Sequence, residues 1–158
     1  MKKKTLFKNY PQKKIEQNLT RLFDHPGILL FRTRELMALN EYVATSPLAI
    51  DTRVLDLGCG EGKIGNLLFN KIDVGLDIVR KDAEEAQKLS TYKRTVIADA
   101  KKMPFKSDSF GFVFSNSVIE HIEGIERVLD EVSRVLKPDG LFIFTVPSNK
   151  FADYLYLK

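Results

Sequence analysis

At 158 residues the chain has the length of one domain, with one core to bury and not two. Its composition, 44% hydrophobic and 29% charged, is that of a globular protein, and no apolar run approaches the ~20 residues that cross a bilayer. The net charge is +4, and the one cysteine excludes an internal disulfide or a cysteine-built zinc site, so a reducing cytoplasm is the expected compartment.

The charge is unevenly placed. Residues 1–14 hold six lysines, and the first carboxylate is Glu16. Such a start can attract a phosphate-bearing partner, nucleic acid or an anionic membrane surface. It carries no RNA-binding signature and no apolar signal-peptide core, so the expectation is a solvated, loosely held arm.

From Ile28 to Val43 apolar residues recur at helical spacing, after Pro26-Gly27 and before Ser46-Pro47, which predicts a helix. Beyond Asp51 short apolar runs alternate with helical patterns. Strands are predicted at Arg53–Leu57, Asp73–Leu76, Thr95–Ala98, Phe110–Ser115 and Leu141–Val146. Helices are predicted at Ile64–Asn70 and Val79–Leu89, and again where Ile125, Val128, Leu129, Val132, Val135 and Leu136 trace one helical face. Apolar strands alternating with amphipathic helices argue for an α/β fold, an open parallel sheet with helices on both faces.

In such a sheet ligands bind beyond the carboxyl ends of the strands, and Gly58, Gly60 and Gly62 fall there, after the first strand. A glycine-rich loop alone has several possible ligands. Here the spacing is Gly-x-Gly-x-Gly, and Lys63 stands where a dinucleotide fingerprint places its third glycine, which disfavours a pyrophosphate. Asp77 is expected to end the second strand, where a carboxylate can accept from ribose hydroxyls, and Asp99 to end the third, where it can accept from an exocyclic amine. Two acids without a phosphate cradle suit a nucleoside that lacks phosphates. Alternative roles are plain ones: a loop carboxylate for Asp56, a helix cap for Asp77, a turn for Asp99.

The stretch Val-Leu-Asp-Leu-Gly-Cys-Gly-Glu-Gly at 54–62 resembles motif I of class I S-adenosylmethionine-dependent methyltransferases, especially the subgroup acting on small molecules and lipids. The resemblance continues through Val-Gly-Leu-Asp-Ile (74–78), Ala-Asp-Ala (98–100) with Met103-Pro104-Phe105, Phe-Ser-Asn-Ser-Val-Ile-Glu-His-Ile (114–122) and Glu-Val-Ser-Arg-Val-Leu-Lys-Pro-Asp-Gly (131–140). It implies a Rossmann-like sheet in strand order 3-2-1-4-5, without the family's sixth and seventh strands. It implies S-adenosylmethionine as cofactor, and in-line attack by an acceptor nucleophile on the sulfonium methyl. Asp56 would hold the methionine amino group, with Gly58, Cys59, Gly60 and Gly62 around the methionine moiety. Asp77 would bind the ribose, Ile78 would pack on the adenine, and Asp99 and the Ala100 amide would read its edge. Ser115 and Asn116 would contact the methionine end.

Cys59 reads as a small packed residue rather than a nucleophile. His121 has two open roles, general base toward the acceptor or a residue shaping the pocket. His25 reads as a turn residue, and no metal site is expected. The absence of Asn-Pro-Pro-Tyr or Asp-Pro-Pro-Tyr after the fourth strand lowers adenine-amine and glutamine-amide acceptors. The organisation expected is a basic arm and cap helix over 1–50, a methyltransferase core over 51–148, and the start of a further segment over 149–158, where Phe151, Tyr154, Leu155, Tyr156 and Leu157 need a partner. The chain is expected to be a fragment, or to use a second copy or partner chain at the sheet's open edge. Functional readings that remain are a small-molecule or lipid methyltransferase, a non-catalytic cofactor-binding module completed by a partner chain, and a nucleotide-binding oxidoreductase.

Overall fold

The computed structural model of the chain describes residues 6–8, 17–20, 26–45 and 52–148. The lysine-rich start apart from Lys8, His25, Ser46-Pro47 and the segment 149–158 lie outside the described residues. Helix α1 spans Pro26–Thr45 and is followed by β1 (Val54–Leu57), α2 (Lys63–Leu68), β2 (Val74–Asp77), α3 (Arg80–Gln87) and β3 (Thr95–Ile97). Then come β4 (Phe110–Asn116), a short 3₁₀ turn (Ile119–His121), α4 (Ile125–Val135) and β5 (Leu136–Thr145). The five strands form one sheet in the order β3-β2-β1-β4-β5, and every pairing is parallel.

Side chains alternate across a strand, so the four buried residues of β1 divide between two cores. Val54 joins Leu36 and Leu39 of α1, Leu67 and Leu68 of α2, Phe69, Tyr92, Phe112 and Phe114 on one face. Leu55 and Leu57 join Val128, Val132 and Val135 of α4 on the other, with Met103 and Ile119. This parity puts Asp56 on Val54's side, inside an otherwise apolar layer. A parallel sheet covered on both faces brings the carboxyl ends of β1, β2 and β3 to one edge, and that edge carries the site.

Three expectations are corrected. Pro26 and Gly27 begin α1 rather than precede it, because proline's fixed φ and missing N–H suit a first helical turn. Strand β5 starts at Leu136, which pairs with Phe110. The ladder then breaks over Lys137–Gly140, where Asp139 turns with φ 62°, and resumes at Leu141 opposite Phe112. The basic start is not a free arm throughout: Phe7 bridges Phe69 in antiparallel sense, and its ring lies 4.7 Å from that of Phe69 and 5.7 Å from that of Phe112. Burial holds the Lys8 ammonium below its ordinary range, and it donates to the Asn66 carbonyl. β5 is an outer strand, with Phe144 and Val146 exposed. Among the described residues no helix is long and apolar enough to cross a membrane.

Candidate cofactor cleft

The chain leaves β1 through a loop whose glycines at 58, 60 and 62 all have positive φ. Two of them face opposite ways. A Cβ on Gly62 would stand 2.7 Å from the Tyr92 ring and 2.9 Å from Leu89, so Gly62 makes room for the protein's own interior. A Cβ on Gly60 would meet nothing within 4 Å, so this part of the loop lies against open space. Gly62 is buried, and its missing side chain would point to the inner side of the loop.

On that inner side Tyr92 donates from its hydroxyl to Asp56 Oδ2 at 2.6 Å. Asp56 is 3% exposed, and burial, with Asp77 nearby, pushes its carboxyl up to about 7 despite the bond from Tyr92. Burial also pushes the Tyr92 hydroxyl up, as does the Asp56 charge. Cβ atoms on Gly65 and Gly75 would likewise crowd the Tyr92 side chain. Cys59 is partly buried against this same layer, and burial together with Asp56 and Asp77 pushes its thiol well up, which keeps it an inert thiol.

On the outer side a cleft of about 410 Å³ opens beyond β1, β2 and β3, a size suited to a small ligand. Gly58, Asp77, Ile78, Asp99, Ala100 and His121 line it, together with Lys101, Ser117, Val118 and Ile122. Asp77 ends β2, as expected. Its Oδ2 accepts from the Gly60 amide at 2.7 Å and its Oδ1 from the Val79 amide at 2.8 Å; α3 begins at Arg80 with Val79 at its N-cap, so Asp77 braces the turn ahead of the helix and does not cap it. Each carboxylate oxygen retains a further lone pair. Ile78 is 66% exposed at the cleft wall, an unusual position for a large apolar side chain without an apolar partner to cover it. β3 stops at Ile97, so Asp99 lies two residues beyond the strand in a turn, where its Oδ1 accepts from the Lys101 amide at 2.8 Å. Lys101 Nζ stands 3.9 Å from Asp99 Oδ2.

The loop carrying Asp99 and Ala100 is held from below. Arg134 and Glu131 form a forked pair, with Glu131 accepting from the Met103 amide at 2.6 Å and Arg134 donating to the Phe105 carbonyl at 2.7 Å. Arg134 holds the Glu131 carboxyl below its usual range.

Ser115 and Asn116 do not line the cleft. Ser115 is fully buried, and its hydroxyl donates to the Leu57 carbonyl at 2.9 Å, locking β4 to the end of β1. Asn116 turns toward α1 and β5, donating to Glu35 Oε1 at 2.8 Å and to Thr145 Oγ1 at 2.5 Å. The residue that enters the cleft is the next one, Ser117. His121 lines the cleft with its side chain 77% exposed and 3.8 Å from Glu120. Among the described residues no group of His, Cys, Asp and Glu could hold a metal ion.

The residues fit a phosphate-free nucleoside: acceptors stand at the end of β2 and just beyond β3, Ile78 adds an exposed apolar surface to the same cleft, and the loop beside Gly60 has open space. A parallel sheet in this strand order, with its cleft beyond β1 to β3, is the fold of class I S-adenosylmethionine-dependent methyltransferases. Residues 55–144 match the methyltransferase domain family, and the chain belongs to it. Over 100 residues it is 38% identical to a malonyl-[acyl-carrier protein] O-methyltransferase of Legionella pneumophila, covering 59% of this chain and 35% of that enzyme. It is 34% identical to YodH of Bacillus subtilis, described as an uncharacterized methyltransferase, covering 75% of this chain and 50% of that protein. A S-adenosylmethionine-dependent methyltransferase of Thermotoga maritima, described as a possible histamine N-methyltransferase, superposes with a TM-score of 0.57 at 28% identity, over 65% of this chain and 48% of that one. The matched stretch thus spans about a third to a half of these curated relatives.

Two features of the site escaped the sequence reading. Tyr92 sits in no motif; the cluster of Gly62, Gly65 and Gly75 signals that something large must fit among them, but not what. Arg32 and Glu35 stand one helical turn apart on α1 and carry no signal that they reach a turn some 80 residues away.

Proposed function

We propose that the chain binds S-adenosylmethionine in this cleft and presents its methyl group to a small-molecule or lipid nucleophile. The observation that carries the reading is that Asp77, Ile78 and Asp99 line one cleft, two acceptors and an exposed apolar side chain together. Asp77 would accept from the ribose hydroxyls while Gly60 and Val79 hold its orientation. Ile78 would cover one face of the adenine, and Asp99 with the Ala100 amide would read its edge. Asp56 acts from behind the loop: the approach of the methionine ammonium would favour its ionised form.

When bound, the sulfonium cofactor supplies an electrophilic methyl group. The chain's own contribution is then binding, alignment for in-line attack, and exclusion of water, and orientation alone can be worth about 7–11 kcal/mol in a two-substrate step. His121 stands on the cleft wall, where it could take a proton from an acceptor or shape its entry. The Legionella relative methylates an acyl-carrier-bound malonyl group, which supports an acceptor among small carboxylates and acyl compounds.

The reading is tested by incubating the chain with methyl-labelled S-adenosylmethionine and acceptors of several classes. Label in a small-molecule or lipid acceptor, with release of S-adenosylhomocysteine, is the expected result. Label confined to nucleic acid or protein would sink the acceptor class. Binding without any transfer would favour a cofactor-binding module completed by a partner.

A further inference from the structure

We propose that Arg32 and Glu35 of α1 are positioning residues for the cofactor cleft, holding the Asn116-Ser117 turn in the shape that binding requires. The inference rests on the cofactor reading above. Ser117 has φ 51°, a left-handed conformation that a residue with a Cβ adopts only when its surroundings impose it. It lines the cleft next to Val118, whose side chain fills the space a Cβ on Gly58 would need. A change in the turn would therefore reach the glycine loop directly.

What imposes the conformation comes from far away in sequence. The Ser117 amide donates to the Thr145 carbonyl of β5 at 2.9 Å. Arg32 Nη1 donates to Ser117 Oγ at 2.8 Å and reaches Asn116 Oδ1 at 3.2 Å. The same nitrogen meets Glu35 Oε2 at 2.7 Å, and Glu35 Oε1 accepts from Asn116 Nδ2 at 2.8 Å. The two side chains are only 20% and 6% exposed, so removal of one leaves the other's charge poorly compensated. A planar guanidinium can serve several acceptors at one edge, which a lysine ammonium does with less fixed geometry. Residues 32 and 35 also precede the matched family segment, 55–144, so this clamp belongs to the part of the chain outside that match.

The clamp's purpose distinguishes it from a simple staple between α1 and the sheet. If it serves to hold Ser117 at positive φ, glycine at 117 should make it dispensable, because glycine adopts that conformation freely. The experiment is calorimetric titration of the whole chain with S-adenosylhomocysteine, alongside thermal unfolding. Arg32→Met should weaken binding about tenfold, the size of one lost charge-assisted hydrogen bond. Adding Ser117→Gly to Arg32→Met should bring affinity back up to that of Ser117→Gly alone, because a glycine at 117 holds the left-handed conformation without the clamp. Ser117→Ala keeps the backbone constraint but loses the hydroxyl, and should bind several-fold more weakly than Ser117→Gly; this comparison leaves α1 intact should Arg32→Met fail to fold. Equal affinities for Ser117→Ala and Ser117→Gly, unchanged affinity in Arg32→Met, or no restoration in the double variant would each overturn the inference. If the unsubstituted chain does not bind S-adenosylhomocysteine, the cofactor reading fails first and the inference fails with it.

Discussion

The two sides of the glycine loop use the same residue types for opposite ends. Outside it, Asp77 is half-exposed, its carboxylate braced by two backbone amides and turned to a cleft. Inside it, Asp56 is buried one strand away, bonded to Tyr92, and its carboxyl titrates near neutrality. Gly60 faces open space and Gly62 faces Tyr92. A motif of acids and glycines is therefore not a ligand shell by composition alone. The parity of the strand and the packing behind the loop divide it into residues that face a cofactor and residues that hold the loop up.

The largest expected effect breaks the comparison at Asp56. Its folded pKa of about 7 lies above the unfolded value, so between about pH 4 and pH 7 the folded chain binds more protons than the unfolded one. Stability should therefore fall as pH rises through that window and level off above it, by at most on the order of 4 kcal/mol from this group. Other carboxylates, such as Glu131, are held low and act in the opposite sense, so the comparison with Asp56→Asn isolates the term. Urea unfolding at pH 5 and pH 8 should show Asp56→Asn gaining on the unsubstituted chain as pH rises. Parallel profiles would mean that Asp56 is ionised in the fold.

On the outer side, Asp77→Ala should weaken S-adenosylhomocysteine binding about a hundredfold, since each hydrogen bond to a charged acceptor is worth about 1.5–3 kcal/mol. Asp56→Asn should weaken it less, because Asp56 stands behind the loop. An equal loss in both would erase the distinction between the two sides.

Next in size is Tyr92→Phe, which removes the donor to Asp56 while leaving the ring among Gly62, Gly65 and Gly75. It should cost about 1–2 kcal/mol in thermal or urea unfolding and move cofactor affinity little. The smallest contrast is between the glycines. Gly62→Ala combines positive φ with a collision against Tyr92 and Leu89, and should cost about 1 kcal/mol more stability than Gly60→Ala, whose Cβ meets open space. Gly60→Ala should instead show its loss in binding.

Much of this was legible beforehand. The alternation of apolar strands with helical faces predicts the α/β sheet, because it depends on local periodicity; the strand order comes only from what the family resemblance implies, since periodicity does not say which strands are neighbours. Asp77 was placed correctly because a carboxylate that closes an apolar strand has one place to go. Of the two readings open for Asp56, a contact to the methionine ammonium or a plain loop carboxylate, the second gives way, because Asp56 lies within β1 and its spacing of two from the buried Val54 puts it on the same core face. Ser115 and Asn116, which the resemblance sets at the methionine end, turn to Leu57 and to α1 and β5, and Ser117 is the residue lining the cleft; β4 runs one residue beyond the expected Ser115, and strand parity decides which side chain faces where. The partners of Tyr92, Arg32 and Glu35 were beyond reach, since they are side-chain contacts between distant segments that leave no periodic trace. The early start of β5 at Leu136 was hidden by Pro138 and Gly140, residues that interrupt a ladder without preventing its first pair.

A cleft beyond β1, β2 and β3 built for a phosphate-free adenosyl cofactor should discriminate among ligands, and calorimetric titration of the chain with S-adenosylhomocysteine, S-adenosylmethionine and NADH measures that discrimination. Binding of the two adenosyl compounds and not of NADH, lost in Asp77→Ala, is the predicted result. Preferential binding of NADH, or adenosyl binding that Asp77→Ala leaves intact, would contradict it.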